Sequence, residues 1–224
     1  MKKQCLQEIK KSRIIAIVRG IPCCQIIDLA EALYQGGITC MEITFDQSAA
    51  DFQDTLASIE RIRTRFEGRI FVGAGTVMTG EQAEMAIEAG AEYIISPNVD
   101  ESVIRRTKEL DKLSIPGAMT PTEVAAAASY GADLVKLFPA GMLGPDYIKA
   151  LKGPLNHIPL TAVGGISPEN CAAFIRAGAV GVGCGGKLVS PNLVEEKRFD
   201  IIASIAGKYT AALADCQTGY AYGE

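Results

Sequence analysis

The sequence carries a single histidine, His157. Hydrolases and other enzymes whose metal is held by several imidazoles need more than that, so a His-rich metal centre is excluded. His157 itself, in the polar turn before Ile158-Pro159-Leu160, reads as a loop residue. Long apolar runs are also missing: no segment offers the roughly 20 apolar residues of a membrane span. The N-terminal stretch Met1-Lys2-Lys3-Gln4-Cys5 is charged and amphipathic, unlike an export signal. Basic charge is in short supply, with 22 Lys and Arg against 26 Asp and Glu and a formal net charge of −4. No cluster of Lys and Arg interleaves with aromatics, so neither nucleic acid nor a membrane is an expected partner, and a cytoplasmic location is expected. Paired CxxC spacing is absent as well. The seven cysteines, at 5, 23, 24, 40, 171, 184 and 216, are odd in number and read as reduced thiols. Cys40 and Cys184 sit in apolar runs as small core residues; Cys23 and Cys24 precede a helix, where a thiol is more reactive, but the sequence sets no histidine beside them.

What is present is an alternation. Short apolar runs of β character lie at residues 14–18, 38–44, 69–72, 92–95, 113–115, 134–137, 159–163 and 180–183. Segments of helical period lie between them at 25–35, 49–65, 81–89, 100–109, 121–129, 145–152 and 168–177, with a last helix in the tail from Val194 onward. Helix starts are marked by Thr120-Pro121-Thr122-Glu123, a capping box with proline at the first helical position, and by Ser167-Pro168. Helix ends are marked by Gly36-Gly37, Gly90, Gly131 and Gly178, each leading into the next strand. Eight strand-helix units in this length predict a closed (β/α)8 TIM barrel rather than an open sheet. No Pro/Ser-rich linker divides the chain, so residues 1–224 are expected to form one domain, with residues 1–12 a helix capping the barrel bottom. Reactive groups in such barrels stand at the C-terminal ends of the strands.

Lys136 is the sharpest feature there, inside Leu134-Val135-Lys136-Leu137-Phe138-Pro139 near the end of the sixth strand. Burial disfavours an ammonium, and a partly neutral amine is what attack on a ketone requires. A lysine that snorkels to the rim and pairs with a carboxylate would give the same pattern. Glu42, in Met41-Glu42-Ile43-Thr44, is an isolated carboxylate within the second strand. It suits the proton transfers of a Schiff-base aldolase, and equally an ion pair with Arg19 or Lys136. Arg19 ends the first strand and can grip a carboxylate or phosphate in bidentate fashion. Gly73-Ala74-Gly75-Thr76 is expected to follow the third strand, offering close backbone approach and a hydroxyl, or no more than a tight turn. Gly164-Gly165 and Gly185-Gly186 follow strands seven and eight, where barrels commonly hold phosphate through backbone amides. A phosphorylated substrate is the reading they favour over two plain turns.

Taken together these segments resemble the bacterial 2-keto-3-deoxy-6-phosphogluconate and 4-hydroxy-2-oxoglutarate aldolases, over nearly the whole chain. The match comprises Ala16-Ile17-Val18-Arg19, Met41-Glu42-Ile43-Thr44, Val72-Gly73-Ala74-Gly75-Thr76-Val77, Ile95-Ser96-Pro97, Pro116-Gly117, Thr120-Pro121-Thr122-Glu123, Val135-Lys136-Leu137-Phe138-Pro139 and Gly164-Gly165-Ile166. The resemblance implies a class I lyase in which Lys136 forms the Schiff base and Glu42 is the general acid and base. It places Arg19, Gly75 and Thr76 in the pyruvate and carboxylate site, and Pro97 and Phe138 in the pocket lining. It implies no metal or organic cofactor and a homotrimer. Cleavage would release pyruvate with glyceraldehyde 3-phosphate, the Entner-Doudoroff reaction, or with glyoxylate.

Three positions depart from the family pattern. Val163 stands where many phosphogluconate members have Thr, and Ala162-Val163-Gly164-Gly165 is similar to the phosphogalactonate aldolases. Asp46 replaces an Arg or Thr, and Gly186 a phosphate-binding Ser that Lys187 would offset. The galactonate epimer is therefore an alternative substrate. Two other classes fit less of the pattern: a non-covalent sugar-phosphate epimerase or isomerase using Glu42 as base, and a non-catalytic sugar-phosphate-binding barrel.

Overall fold

A computed structural model describes residues 2–214 and 216. Helix α1 (Lys2–Ser12) precedes β1 (Ile14–Val18), α2 (Ile26–Gln35), β2 (Cys40–Thr44), α3 (Gln53–Arg65), β3 (Phe71–Gly75) and α4 (Gly80–Glu88). Then follow β4 (Tyr93–Ile95), α5 (Glu101–Glu109), β5 (Leu113–Ile115), β6 (Gly117–Ala118), α6 (Pro121–Ser129) and β7 (Val135–Leu137). The chain continues through α7 (Ala140–Leu143), α8 (Pro145–Leu151), β8 (Leu160–Val163), α9 (Cys171–Arg176), β9 (Gly181–Cys184), α10 (Pro191–Glu195) and α11 (Phe199–Ala214). Among the described residues no helix is long and apolar enough to cross a membrane.

All strand pairs are parallel, in the order β5-β4-β3-β2-β1-β9-β8-β7-β6. The two ends of that order, β5 and β6, are consecutive in the chain, so the covalent link through Pro116 closes the barrel. The fold is the expected (β/α)8 barrel, and the ninth strand is half of the fifth. Pro116 has no N–H to give to a ladder, yet its carbonyl accepts from the Lys136 N–H at 2.9 Å, which keeps the split strand in register with β7.

Side chains alternate along each strand. Ile14, Ala16 and Val18 face the helices, within the large cluster that holds Leu29, Leu33 and Ile202. Ile15 faces inward, in a second cluster with Cys40, Phe71, Tyr93, Leu113, Leu134 and Val180. Cys5 and Ile9 of α1 belong to this inner cluster and are fully buried, so the N-terminal helix plugs the end of the barrel where the strands begin. Ile9 carries roughly 1.5–3 kcal/mol of burial free energy in that role.

Several element boundaries differ from those expected. The third strand is 71–75 rather than 69–72, so Gly73 and Gly75 lie inside the ladder, not in a turn after it. A Cβ at Gly73 would overlap the Tyr93 ring and one at Gly75 would overlap the Glu42 carboxylate, so both glycines exist to leave room in the interior. Helix α3 begins at Gln53, not at residue 49, because Asp46 and Asp51 accept from the amides of Ser48 and Gln53 in tight local turns. Helix α9 begins at Cys171, since the Asn170 side chain turns its Oδ1 back to accept from the Ser167 N–H at 2.8 Å. The tail helix is broken into α10 and α11, with Lys197 at φ 54° between them. The Thr120 capping box forms as expected, Glu123 accepting from the Thr120 N–H at 2.7 Å.

Candidate active site

At the C-terminal ends of the strands a cavity of about 360 Å³ opens, lined by residues from β1, β2, β3, β4, β7, β8 and β9 or the loops after them. Glu42 and Lys136 stand on its wall. Register explains why they meet there. Glu42 pairs with Ile17 of β1 and Gly73 of β3, and Lys136 pairs with Gly117 and Thr161, so both side chains leave the pleat on the inner face, above the apolar layer built on Tyr93.

Both are buried, Glu42 at 2% and Lys136 at 7% exposure. Burial raises the Glu42 carboxyl above the ordinary value of 4.5, and the positive charges of Lys136 and then Arg19 pull it partly back. Among the described residues no carboxylate comes within ion-pair distance of Lys136, and its ammonium lies over the Phe138 ring, 5.2 Å from the centroid. Lys152 makes the contrast plain. It too is buried, at 1%, but its Nζ donates to the carbonyls of Asn156 at 2.7 Å and Ile158 at 2.8 Å, closing the turn after α8. Lys152 is occupied with holding the backbone; the Lys136 amine faces open space.

Of the residues singled out by sequence, Arg19, Glu42, Thr76, Pro97, Lys136, Phe138, Val163, Gly164, Gly165, Gly185 and Gly186 all line this one cavity. Gly75 does not; it lies behind Glu42 and gives that side chain its space. Asp46 is also absent from the lining: its carboxylate accepts from the Ser48 amide and hydroxyl, at 2.9 and 2.6 Å, which hold its pKa low. It borders a neighbouring hollow shared with Arg19 and Thr76.

The two glycine pairs form one wall. Gly164 and Gly165 have φ of 91° and 74°, a backbone that L side chains rarely adopt, and the Gly164 carbonyl accepts from the Gly141 N–H at 2.7 Å. A Cβ at Gly141 would strike that carbonyl and Gly165, so a third glycine is needed for the approach of the two loops. After β9 the carbonyl of Gly185 accepts from Leu188 and Val189, turning the chain so that Gly186 and Lys187 face the cavity. Arg19 follows β1, the strand that pairs with β9, and its Nη2 donates to Thr76 Oγ1 at 3.4 Å.

Sequence reasoning passed over Ile17, Ile166 and Gly183, which complete the lining. It also passed over Thr161, the direct register neighbour of Lys136. A hydroxyl residue alternating with Leu160 and Ala162 in a barrel strand was the available signal for Thr161. For Gly141 there was none, because its role depends on contact with a loop 23 residues away, Gly164.

The cysteines have no part in the cavity. Cys40 is fully buried and its thiol is pushed up to about 12 by burial, while Cys23 is raised by its hydrogen bond with Asp54. Among the described residues no three His, Cys, Asp or Glu side chains converge as metal ligands.

A closed parallel barrel whose strand ends gather an amine, a carboxylate and two glycine loops into one cavity is the architecture of a barrel enzyme acting on small anionic molecules. The family model for KDPG and KHG aldolase matches residues 6–205. The chain belongs to that family, that of the 2-keto-3-deoxy-6-phosphogluconate and 4-hydroxy-2-oxoglutarate aldolases, and its members are lyases. It is 34% identical to the 2-dehydro-3-deoxy-6-phosphogalactonate aldolase of Escherichia coli (strain K12), over 91% of this chain and 97% of that one. It is 33% identical to the 2-dehydro-3-deoxy-phosphogluconate aldolase of Treponema pallidum (strain Nichols), over 83% and 85%. A solved structure described as native KDPGal superposes with a TM-score of 0.81 at 34% identity, covering 91% of this chain and 95% of that one.

Proposed function

We propose that this chain cleaves a 2-keto-3-deoxy-6-phospho sugar acid through a Schiff base on Lys136, with Glu42 moving the protons. The observation that carries the reading is the buried amine of Lys136, unpaired among the described residues, in the same cavity as a carboxyl raised by burial. The neutral amine attacks the C2 ketone of the substrate to give a carbinolamine, and loss of water gives the iminium. Removal of the C4 hydroxyl proton then lets the C3–C4 bond break, its electrons flowing into the iminium; the aldehyde leaves and an enamine remains. Protonation of the enamine at C3 and hydrolysis release pyruvate and the free lysine. Glu42 serves each proton transfer in turn, and a carboxyl whose pKa burial raises holds a proton more readily than a free one, which suits it to give as well as take protons.

In this reading Arg19 and Thr76, which line the cavity together, hold the substrate carboxylate. Gly164, Gly165, Gly185 and Gly186, with the charge of Lys187, form the wall on which the phosphate of the leaving aldehyde would sit. The products would be pyruvate and glyceraldehyde 3-phosphate; 4-hydroxy-2-oxoglutarate, giving glyoxylate, is the smaller substrate of the same chemistry. Cytoplasmic homotrimers acting without a cofactor complete this reading, on the strength of the family resemblance.

Val163 favours a second reading for the epimer. Its side chain is part of the cavity wall and packs toward Gly183, where it offers no hydroxyl. That, with the 34% identity to a phosphogalactonate aldolase, supports 2-keto-3-deoxy-6-phosphogalactonate as substrate. The test is pyruvate release from the gluconate, galactonate and hydroxyoxoglutarate substrates, compared by kcat/KM. A phosphorylated sugar acid should exceed hydroxyoxoglutarate. Equal values for all three would remove the phosphate role of the glycine wall, and no pyruvate from any would remove the aldolase reading.

A further inference from the structure

Thr76 is one of four described residues other than glycine with a left-handed backbone, at φ 57°. A β-branched side chain disfavours that region, so the conformation persists only where surrounding contacts hold it. On the carbonyl side of its peptide the contacts come from two glutamine side chains. Gln47, in the loop after β2, donates from Nε2 to the Thr76 carbonyl at 2.7 Å. Gln82, in the first turn of α4, donates from Nε2 to Gln47 Oε1 at 2.9 Å and accepts from the Met78 N–H at 2.8 Å. The Gln82 N–H in turn donates to the capping hydroxyl of Thr79 at 3.1 Å, and Gln82 is 7% exposed. A chain of amides thus runs from the start of α4 through Gln47 to the peptide of Thr76, whose hydroxyl is 3.4 Å from Arg19.

We propose that Gln47 and Gln82 are positioning residues for keto-acid binding: they lock Thr76 in its left-handed conformation, so that its hydroxyl and the Arg19 guanidinium face the same substrate carboxylate. Neither glutamine lines the cavity; both act through Thr76. The lock joins the loop after β2 to the loop after β3; the Val77 N–H of the same peptide donates to the Ile95 carbonyl at 3.2 Å, so deleting the glutamine contacts loosens the Thr76 peptide on its carbonyl side without touching Lys136 or Glu42. Carboxylate contacts made equally in the bound and transition states set KM and not kcat.

This inference rests on the Schiff-base reading, and the experiment separates the two. The readout is exchange of the pyruvate methyl hydrogens for deuterium, followed by NMR, with borohydride trapping of the unmodified protein as control. Gln47→Met keeps the size of the side chain and removes its donor and acceptor, and Gln47 is exposed, so the fold should not suffer. The expected result is a KM for pyruvate raised about tenfold with kcat within about twofold. Gln82→Met should move KM in the same direction. In a Thr76→Ala background Gln47→Met should add less than about twofold, since its effect passes through Thr76. A Gln47→Met protein with unchanged KM overturns the proposal, and so does an equal effect with and without Thr76. Absence of trapping and exchange in the unmodified protein instead overturns the Schiff-base reading.

Discussion

The two ends of the barrel interior are built by the same strands and differ in almost everything else. At the end where the strands begin, Cys5, Ile9, Ile15, Phe71, Tyr93 and Leu113 pack into a buried apolar cluster to which α1 contributes. At the other end Ile17, Glu42, Lys136 and the glycine loops surround an open cavity. The inward positions of a single strand pass from one regime to the other: Cys40 belongs to the seal and Glu42, two residues on, to the cavity. One layer supplies the stability that the other layer spends on burying charge, and that separation lets the chemistry of the open end vary without loss of the fold.

The comparison is broken most severely at Lys136. Lys136→Ala should lower pyruvate release from the preferred substrate by about 10³-fold or more, with a melting temperature equal to or above that of the unmodified protein, because a buried ammonium is removed. Circular dichroism melts beside the activity assay check this; a variant that loses structure together with activity would make Lys136 part of the scaffold.

Glu42→Gln should cost about 10²–10⁴-fold in kcat. The folded-state pKa of Glu42 is raised above 4.5, so the native state holds its proton more tightly than the unfolded chain, and stability declines as pH rises from 4.5 through the folded value. Glu42→Gln removes that decline. Its melting temperature should exceed that of the unmodified protein at pH 8, and the difference should vanish toward pH 4. A constant offset across that range would mean that burial does not disfavour the Glu42 charge.

Gly75→Ala sharpens the same point without altering a charged group. The new methyl would overlap the Glu42 carboxylate, so kcat should fall by about 10²-fold through displacement of Glu42, while binding at the glycine loops is kept. Ile9→Ala probes the other end. It should cost about 2–5 kcal/mol of stability by leaving a cavity in the seal, measured by denaturant titration, with kcat/KM at low temperature within about twofold. The smallest effect is expected at Val163→Thr, which should shift the ratio of kcat/KM for the two sugar epimers by about tenfold if a hydroxyl there meets the substrate.

The apolar runs and the glycines at helix ends were sufficient to read the barrel, because most strands carry β-branched residues and four helix ends, at Gly36-Gly37, Gly90, Gly131 and Gly178, carry a glycine. Local sequence was least informative at the third strand. Glycine is read as a turn by its backbone freedom, whereas Gly73 and Gly75 are strand residues whose missing side chains are demanded by Tyr93 and Glu42, neighbours on other strands. The split at Pro116 was hidden for a similar reason: a short run ending in proline looks like a strand end, and only barrel closure makes the next two residues a strand. In the site, Lys136 and Glu42 stood out as charges where apolar residues belong. Gln47 and Gln82 did not, since polar residues in a loop and in a helix's first turn are unexceptional until the structure shows their amides meeting.

Everything turns on the chemistry of one amine. Reduction with borohydride in the presence of pyruvate, followed by mass spectrometry of the digested protein, should show a single covalent adduct on the peptide containing Lys136. No adduct, or one on another lysine such as Lys152, would contradict the account.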